Sequence, residues 1–130
     1  MDSKNLSFDE QVEIIQKSKI NLSCLSAADS IFGVSYGLTE RCYGIPVCGG
    51  FLLMENRVHA KDDFNVGSEI ITYSDIKDCL NKIHFYLTRH EDRRMIAEKA
   101  YHRVITEHTY MHRAIKLISE IQNLKNHVNR

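Results

Sequence analysis

The alternation of hydrophobic and polar positions predicts a helix and then a strand at the start of the chain. Ser7 and Glu10 match the capping-box pattern, and apolar residues follow at near-helical spacing, which predicts a helix over residues 8–18. Residues 19–24 then alternate between apolar and polar, as a short strand does. Small and polar residues interrupted by glycine predict a loop over residues 25–37.

Glycine, a single proline and a continuous apolar run mark the middle of the chain. Residues 38–43 predict a short helix, which Pro46 is expected to stop. The apolar residues 51–54 predict a strand that is buried on both faces of a parallel sheet. A polar loop over residues 55–65 and a third strand over residues 68–73 are expected to follow.

Three helices are predicted for the rest of the chain. The first begins at Ser74 or Asp75, and the second begins at the acidic residues Glu91 and Asp92, which the helix dipole favours there. The last runs over residues 110–124. The first helix carries an amphipathic stripe of Ile76, Leu80, Ile83 and Leu87, and on the last helix Ile115, Ile118, Ile121 and Leu124 are expected to face inward.

This order of elements predicts an α/β fold, because strands separated by helices or long loops usually form a parallel sheet. We expect one domain over residues 1–130: a partial Rossmann-like, three-layer domain with a short parallel sheet and a helical C-terminus. The composition, with 43% hydrophobic and 26% charged residues, is ordinary for a globular domain, so global disorder is not expected.

Charge, cysteine usage and hydropathy narrow the function classes. The 17 basic and 17 acidic residues give zero net charge, which argues against a nucleic-acid partner. The cysteines lack the paired spacing of a zinc site or a disulfide framework: Cys24, Cys42, Cys48 and Cys79. No apolar run is long enough for a transmembrane segment, and the polar start lacks a signal core. We therefore expect a cytoplasmic protein.

Residues 37–50 hold most of the candidate chemistry. The candidate ligand-binding residues are Thr39, Glu40, Arg41, Gly49 and Gly50. A helix N-terminus favours phosphate, Arg41 can neutralise phosphate charge, and Glu40 can accept hydrogen bonds from ribose or sugar hydroxyls. The residues alone leave another interpretation open: a tight loop–helix–strand connection without a ligand, in which Glu40 and Arg41 are merely an exposed pair.

Three further positions allow more than one role. Tyr73, at the end of the third predicted strand, is placed either to stack on a base or sugar or to pack at the strand end. His108 and Tyr110 form either an acid–base pair or a packed, hydrogen-bonded cluster in which Thr109 caps the last helix. The acidic pair Asp62–Asp63 is expected to be solvated, and no metal site is predicted.

Several segments, taken in order, resemble a known family. They are TER at 39–41, IPVCGGFLL at 45–53, GSEIITY at 67–73, RMIA at 94–97, RV at 103–104 and HTYMHR at 108–113. Their order and spacing resemble the donor-binding region of GT-B glycosyltransferases, in the CgeB-like branch of the group 1 transferases. The resemblance covers residues 19–117, which is most of the chain.

The resemblance implies a C-terminal domain that binds a nucleotide-sugar as donor substrate, without a further cofactor. It implies that Glu40 contacts the ribose or the sugar of the donor. The usual group 1 pattern has two glutamates that bracket seven residues, whereas the position eight before Glu40 is Phe32. The acceptor would enter from an N-terminal domain, which this chain is expected to lack.

Two properties of the isolated chain follow from these expectations. The chain should bind its donor weakly and transfer no sugar alone, since catalysis takes place in a cleft between two domains. It should also self-associate, as a homodimer, through an open sheet edge or through its C-terminal helices. The alternatives are a non-catalytic nucleotide- or sugar-binding module and a protein-interaction module.

Overall fold

A parallel three-stranded sheet lies at the centre of the computed structural model, which describes residues 6–24 and 36–128. The strands are β1 (Asn21–Ser23), β2 (Leu52–Glu55) and β3 (Ile71–Tyr73), in the spatial order β1-β2-β3. Leu53 of β2 lies opposite Leu22 on one side and Ile71 on the other. The predicted α/β class with a short parallel sheet is therefore confirmed.

Six helices accompany the sheet in the described part of the chain. They are α1 (Phe8–Lys17), α2 (Arg41–Val47), α3 (Ala60–Asp63), α4 (Ile76–Leu87), α5 (His90–Glu107) and α6 (Tyr110–Val128). α1 begins with the predicted capping box of Ser7 and Glu10. α3 is a single short helix within the segment that was predicted as a loop. Of the first predicted loop, residues 25–35 lie outside the described residues.

The side chains of β2 alternate between two apolar clusters, one on each face of the sheet. Leu52 and Met54 pack in a cluster with Cys42 of α2, whereas Leu53 packs in a cluster with Cys79 of α4. These β2 side chains are at most 1% exposed, which confirms a strand buried on both faces. One cluster includes residues of α2 and the other includes residues of α4, and α5 contributes to both. Helices therefore cover the sheet on both sides in a three-layer arrangement.

Pro46 lies inside α2 and does not stop it, so the prediction that the helix ends before Pro46 is wrong. The missing N–H of Pro46 removes one hydrogen bond, and a helix of seven residues tolerates that loss close to its end. The helix ends one residue later, where the Cys48 backbone N–H bonds to the carbonyls of Gly44 and Ile45. Pro46 itself is buried.

α4 begins as predicted but presents a different row of side chains to the sheet. Asp75 caps the helix, since its side chain accepts a hydrogen bond from a backbone N–H of the first turn. Of the predicted stripe, Ile76 is 80% exposed and Leu80 is 51% exposed. Cys79 is buried instead, with Ile83 packed beside it, because two apolar rows share this helix and only one can face the sheet.

α6 begins at the predicted position and continues to Val128, but its apolar face is exposed. Ile115, Ile118, Ile121 and Leu124 have exposed fractions between 43% and 64%. The prediction that these residues face inward is wrong, because no other element in the described ranges covers this length of helix. Among the described residues, no helix has both the length and the apolar character needed to cross a bilayer.

Candidate functional site

The segments that follow β1 and β2 meet at the carboxyl edge of the sheet. The backbone N–H of His59 donates to the carbonyl of Tyr36 at 3.1 Å, and the buried Arg57 side chain donates to the carbonyl of Gly37. The predicted site residues Thr39 and Glu40 come directly after these contacts and lead into α2. They therefore lie at the edge beyond which open parallel sheets bind their ligands.

Glu40 is held in place by a residue from the far end of the chain. The hydroxyl of Tyr110, the first residue of α6, donates to Glu40 Oε1 at 2.9 Å. This hydrogen bond to a carboxylate raises the pKa of the Tyr110 hydroxyl above its ordinary value, so the tyrosine stays a donor near neutral pH. One carboxylate oxygen of Glu40 is thus engaged, and the other has the capacity to accept a further hydrogen bond.

An aromatic group of Tyr43, Phe64 and His108 anchors the end of α5 against α2. The three ring centroids lie 5.5–5.6 Å apart. The Tyr43 hydroxyl donates to the Asp63 side chain, and His108 Nε2 lies 2.9 Å from the Asp63 carbonyl oxygen. Burial, and then the Asp63 hydrogen bond, raise the pKa of the Tyr43 hydroxyl. This packing places the start of α6 beside α2.

The ends of α5 and α6 adopt the packed alternative considered for residues 108–110. His108 takes part in ring packing, and the Thr109 hydroxyl accepts a hydrogen bond from the His112 backbone N–H at 3.4 Å, so Thr109 caps α6. Tyr110 contacts Glu40 rather than His108. These three consecutive residues therefore have different roles: His108 packs, Thr109 caps α6 and Tyr110 belongs to the candidate site.

Two arginines belong to the same region as Glu40: Arg41 follows it in the chain, and Arg113 contacts Tyr43. Arg41 is exposed at the first position of α2, and the described residues give it no hydrogen bond or ion pair. The Arg113 guanidinium lies 4.6 Å from the centre of the Tyr43 ring, as in a cation–π contact. We call Glu40, Arg41, Tyr43, Tyr110 and Arg113 the carboxyl-edge cluster. It combines one carboxylate, two cations and two phenols at one surface.

The backbone at the start of α2 is largely occupied. The N–H groups of Cys42, Tyr43 and Gly44 donate to the carbonyls of Thr39 and Glu40 at 2.8–3.0 Å. These groups are therefore not the free donors that the sequence pattern predicted for phosphate. Charge at this position comes from the arginine side chains instead.

Gly49 and Gly50 lie at the opposite edge of the sheet, because they connect the end of α2 to the start of β2. Gly49 has a φ of 79°, a left-handed conformation that glycine adopts at little cost. At Gly50 a Cβ would lie 2.6 Å from Ile15 Cγ2 and 2.7 Å from Asn21 Nδ2. Both glycines meet needs of the fold here, and the structure does not bring them together with the start of α2.

Tyr73 is at the carboxyl end of β3 but turns into the protein. It is 9% exposed, and its hydroxyl donates to the Ser23 carbonyl at 3.4 Å and contacts Cys24 Sγ at 3.5 Å. Burial raises the pKa of the Tyr73 hydroxyl. The side chain thus links the ends of β3 and β1 across the sheet, and no contact in the described residues joins it to the carboxyl-edge cluster.

The acidic pair Asp62–Asp63 has partners within the chain. Asp62 Oδ2 lies 2.7 Å from His59 Nδ1, and Asp63 accepts the Tyr43 hydroxyl. In the part of the chain that the structure describes, no three His, Cys, Asp or Glu side chains are grouped so that they could hold a metal ion.

The carboxyl-edge cluster contains residues that the sequence patterns did not select. Glu40 and Arg41 are candidates by their place at a helix start, and Tyr110 is a candidate only as a partner of His108. Arg113 is expected either to face phosphate or to lie on a solvated helix face, and Tyr43 is not among the candidates. The available signal was the HTYMHR segment, which holds both Tyr110 and Arg113. Glu40, which is the partner of Tyr110, lies 70 residues away in the chain, and no local sequence pattern reveals a contact at that separation.

The chain belongs to the glycosyl transferase-like family, which matches residues 2–119. The matched range includes all three strands, α1 to α5, the first half of α6 and every residue of the carboxyl-edge cluster. No curated protein and no solved structure gives a significant match to the chain. The resemblance to glycosyltransferases is thereby confirmed at the level of the family.

Proposed function

We propose that this chain binds a nucleotide-sugar and forms the donor-binding, C-terminal domain of a GT-B glycosyltransferase of the CgeB-like branch. The observation that carries the proposal is the position of Glu40, which Tyr110 holds at the carboxyl edge in a cluster that also contains Arg41 and Arg113. Membership of the glycosyl transferase-like family supports a role in sugar transfer.

The chemical groups of the carboxyl-edge cluster match the parts of a nucleotide-sugar. Tyr110 engages one oxygen of Glu40, which leaves the other to accept a hydrogen bond from a ribose or sugar hydroxyl. Arg41 and Arg113 supply the positive charge that a diphosphate requires, and guanidinium groups bind phosphate oxygens in a bidentate manner.

The transfer step itself needs charge stabilisation. The bond between the anomeric carbon of the sugar and the diphosphate oxygen breaks, and its electron pair stays on the nucleoside diphosphate. Cations already placed at that oxygen stabilise the negative charge as it develops. An acceptor hydroxyl is the nucleophile, and we assign its base to a second, acceptor-binding domain. The isolated chain is therefore expected to bind a donor without transferring its sugar.

A ligand titration tests donor binding and the edge at which it occurs. UDP, GDP, ADP and the corresponding nucleotide-sugars are titrated while the thermal unfolding midpoint and the heat of binding are measured. We expect one nucleotide series to raise the midpoint. Glu40→Gln should weaken binding about 10- to 100-fold, the equivalent of one hydrogen bond to a charged group.

A matched variant, Glu98→Gln, is the control. Glu98 lies on α5 and lines an open depression of about 300 Å³ beside Gly49, at the opposite edge of the sheet. Binding that is weakened by Glu40→Gln and unchanged by Glu98→Gln supports a site at the carboxyl edge. The reverse pattern would move the site to the Gly49 depression. No response of the folded chain to any nucleotide would leave the protein-interaction module as the better account.

A further inference from the structure

From Ala114 onwards, α6 is a helix without a covering surface. Every side chain from Ala114 to His127 is exposed, including the large apolar side chains Leu117, Ile121 and Leu124, which are 61%, 43% and 64% exposed. A run of exposed apolar residues on one helix usually marks an interaction surface. The sequence and the charges of α6 indicate what kind of partner fits it.

The apolar residues of α6 follow a heptad repeat. Ala114, Leu117, Ile121 and Leu124 are separated by three, four and three residues, which is the spacing of a coiled-coil seam. In this register Ala114 and Ile121 occupy the a positions, and Leu117 and Leu124 occupy the d positions. A β-branched residue at a with leucine at d favours two parallel strands.

The charges beside the seam are complementary to those of an identical helix. Glu120 falls at a g position and Lys125 at the following e position. In a parallel two-stranded coiled coil, g of one helix lies next to the following e of the other, so Glu120 and Lys125 face each other twice by symmetry. In an antiparallel pair, Glu120 would face a second glutamate, which is repulsive. The pattern therefore selects a parallel pairing.

We propose that a second copy of this chain packs along α6 as a parallel two-stranded coiled coil. Leu117, Ile121 and Leu124 form the seam, and Glu120 pairs with the partner's Lys125. Ile118, at the e position next to the seam, widens the apolar contact. The cost of nucleating the helix is already met, because α6 is a formed helix of 19 residues anchored through Tyr110 to the domain.

Charge reversal tests this surface by sedimentation velocity over a wide range of protein concentration. The wild-type chain should show a concentration-dependent dimer. Glu120→Lys and Lys125→Glu should each raise the dimer dissociation constant about tenfold, because each creates two like-charge contacts. The double variant should restore the wild-type constant, and an equimolar mixture of the two single variants should form a heterodimer.

Two controls keep the test independent of folding. Lys116→Glu reverses a charge at a c position, away from the seam, and should leave the dimer unchanged. Ile121→Asp should give a monomer that is still folded. Its far-ultraviolet circular dichroism spectrum should differ from that of the wild-type chain only by the helical signal lost at the end of α6. The proposal would be overturned if the wild-type chain stays monomeric at the highest concentration. It would also be overturned if every charge-reversal variant has the same dimer dissociation constant as the wild-type chain.

Discussion

Glu69 and Arg103 form a largely buried ion pair that ties the turn before β3 to α5. The Arg103 guanidinium donates to both oxygens of Glu69 at 3.0–3.2 Å, and the two side chains are only 25% and 10% exposed, respectively. Asn65 adds its backbone N–H at 2.8 Å and its side-chain amide at 3.1 Å. Because α5 also carries His108 and leads to Tyr110, this pair supports the geometry of the carboxyl-edge cluster.

Replacing the Glu69 carboxylate should destabilise the fold. We expect Glu69→Gln to lower the free energy of unfolding at neutral pH by about 1.5–3 kcal/mol, since Arg103 loses a charged, partly buried partner. Glu91→Gln is the matched control, because Glu91 pairs with Arg94 at side-chain exposures of 68% and 60% and should change stability by less than about 1 kcal/mol. Urea unfolding of both variants measures the difference.

The same pair predicts a pH dependence. Burial alone raises the pKa of the Glu69 carboxyl, but the hydrogen bonds from Arg103 and Asn65 outweigh burial and hold that pKa below its ordinary value of 4.5. A carboxyl whose pKa is lowered on folding stabilises the protein above its unfolded pKa, and this contribution is lost as the pH falls. The stability gap between wild type and Glu69→Gln should therefore shrink below about pH 4.5. A gap that does not depend on pH would contradict this account.

At the residue scale, sequence patterns identify side chains near one another in the chain and miss those joined by the fold. Glu40 and Arg41 can be selected because they sit at a helix start. Tyr110 can be selected as well, but its contact with Glu40 cannot be predicted, because the neighbours of Tyr110 and Arg113 in the cluster depend on how α5 crosses from one edge of the sheet to the other. The sequence is equally compatible with a ligand-binding role and a structural role for Gly49 and Gly50. Only their backbone conformation and surroundings in the folded chain distinguish these roles.

At the element scale, the periodicity of apolar residues predicts that a helix forms but not what covers it. The buried row of α5 includes Ile96, Ala100 and Val104, whereas the apolar row of α6 is exposed although its periodicity is the stronger of the two. The same pattern serves a core and an intermolecular seam, because both bury one stripe of a helix. Only the presence or absence of a neighbouring element distinguishes them.

Truncation of α6 tests whether the part of this helix beyond Arg113 belongs to the domain core. A chain ending at Arg113 removes only residues whose described side chains are exposed, so its free energy of unfolding should stay within about 1 kcal/mol of the monomeric full chain. A chain ending at Glu107 is the comparison. It also removes His108, whose ring packs on Tyr43 and Phe64, and should be markedly less stable. Equal loss in both truncations would show that α6 is part of the core.

At the scale of the whole molecule, the fold class could be predicted because its main signals are local. The apolar run at residues 51–54 can be buried on both faces only at the centre of a sheet covered by helices on both sides. The end points of β1 and β3 could not be predicted, since each strand has three residues and is defined by pairing with β2. The division of the candidate residues between two edges follows from the parallel topology, which places the start and the end of α2 at opposite edges.

The central claim is that a nucleotide-sugar binds at the carboxyl edge through the carboxyl-edge cluster. Amide proton–nitrogen NMR spectra, recorded while the preferred nucleotide is added, test it most directly, because every assigned backbone position reports separately. We predict that the largest shifts fall on Glu40, Arg41, Tyr110 and Arg113, and that residues of the Gly49 depression such as Tyr101 stay unchanged. Shifts concentrated at that depression, or none with any nucleotide at saturating concentration, would contradict the account.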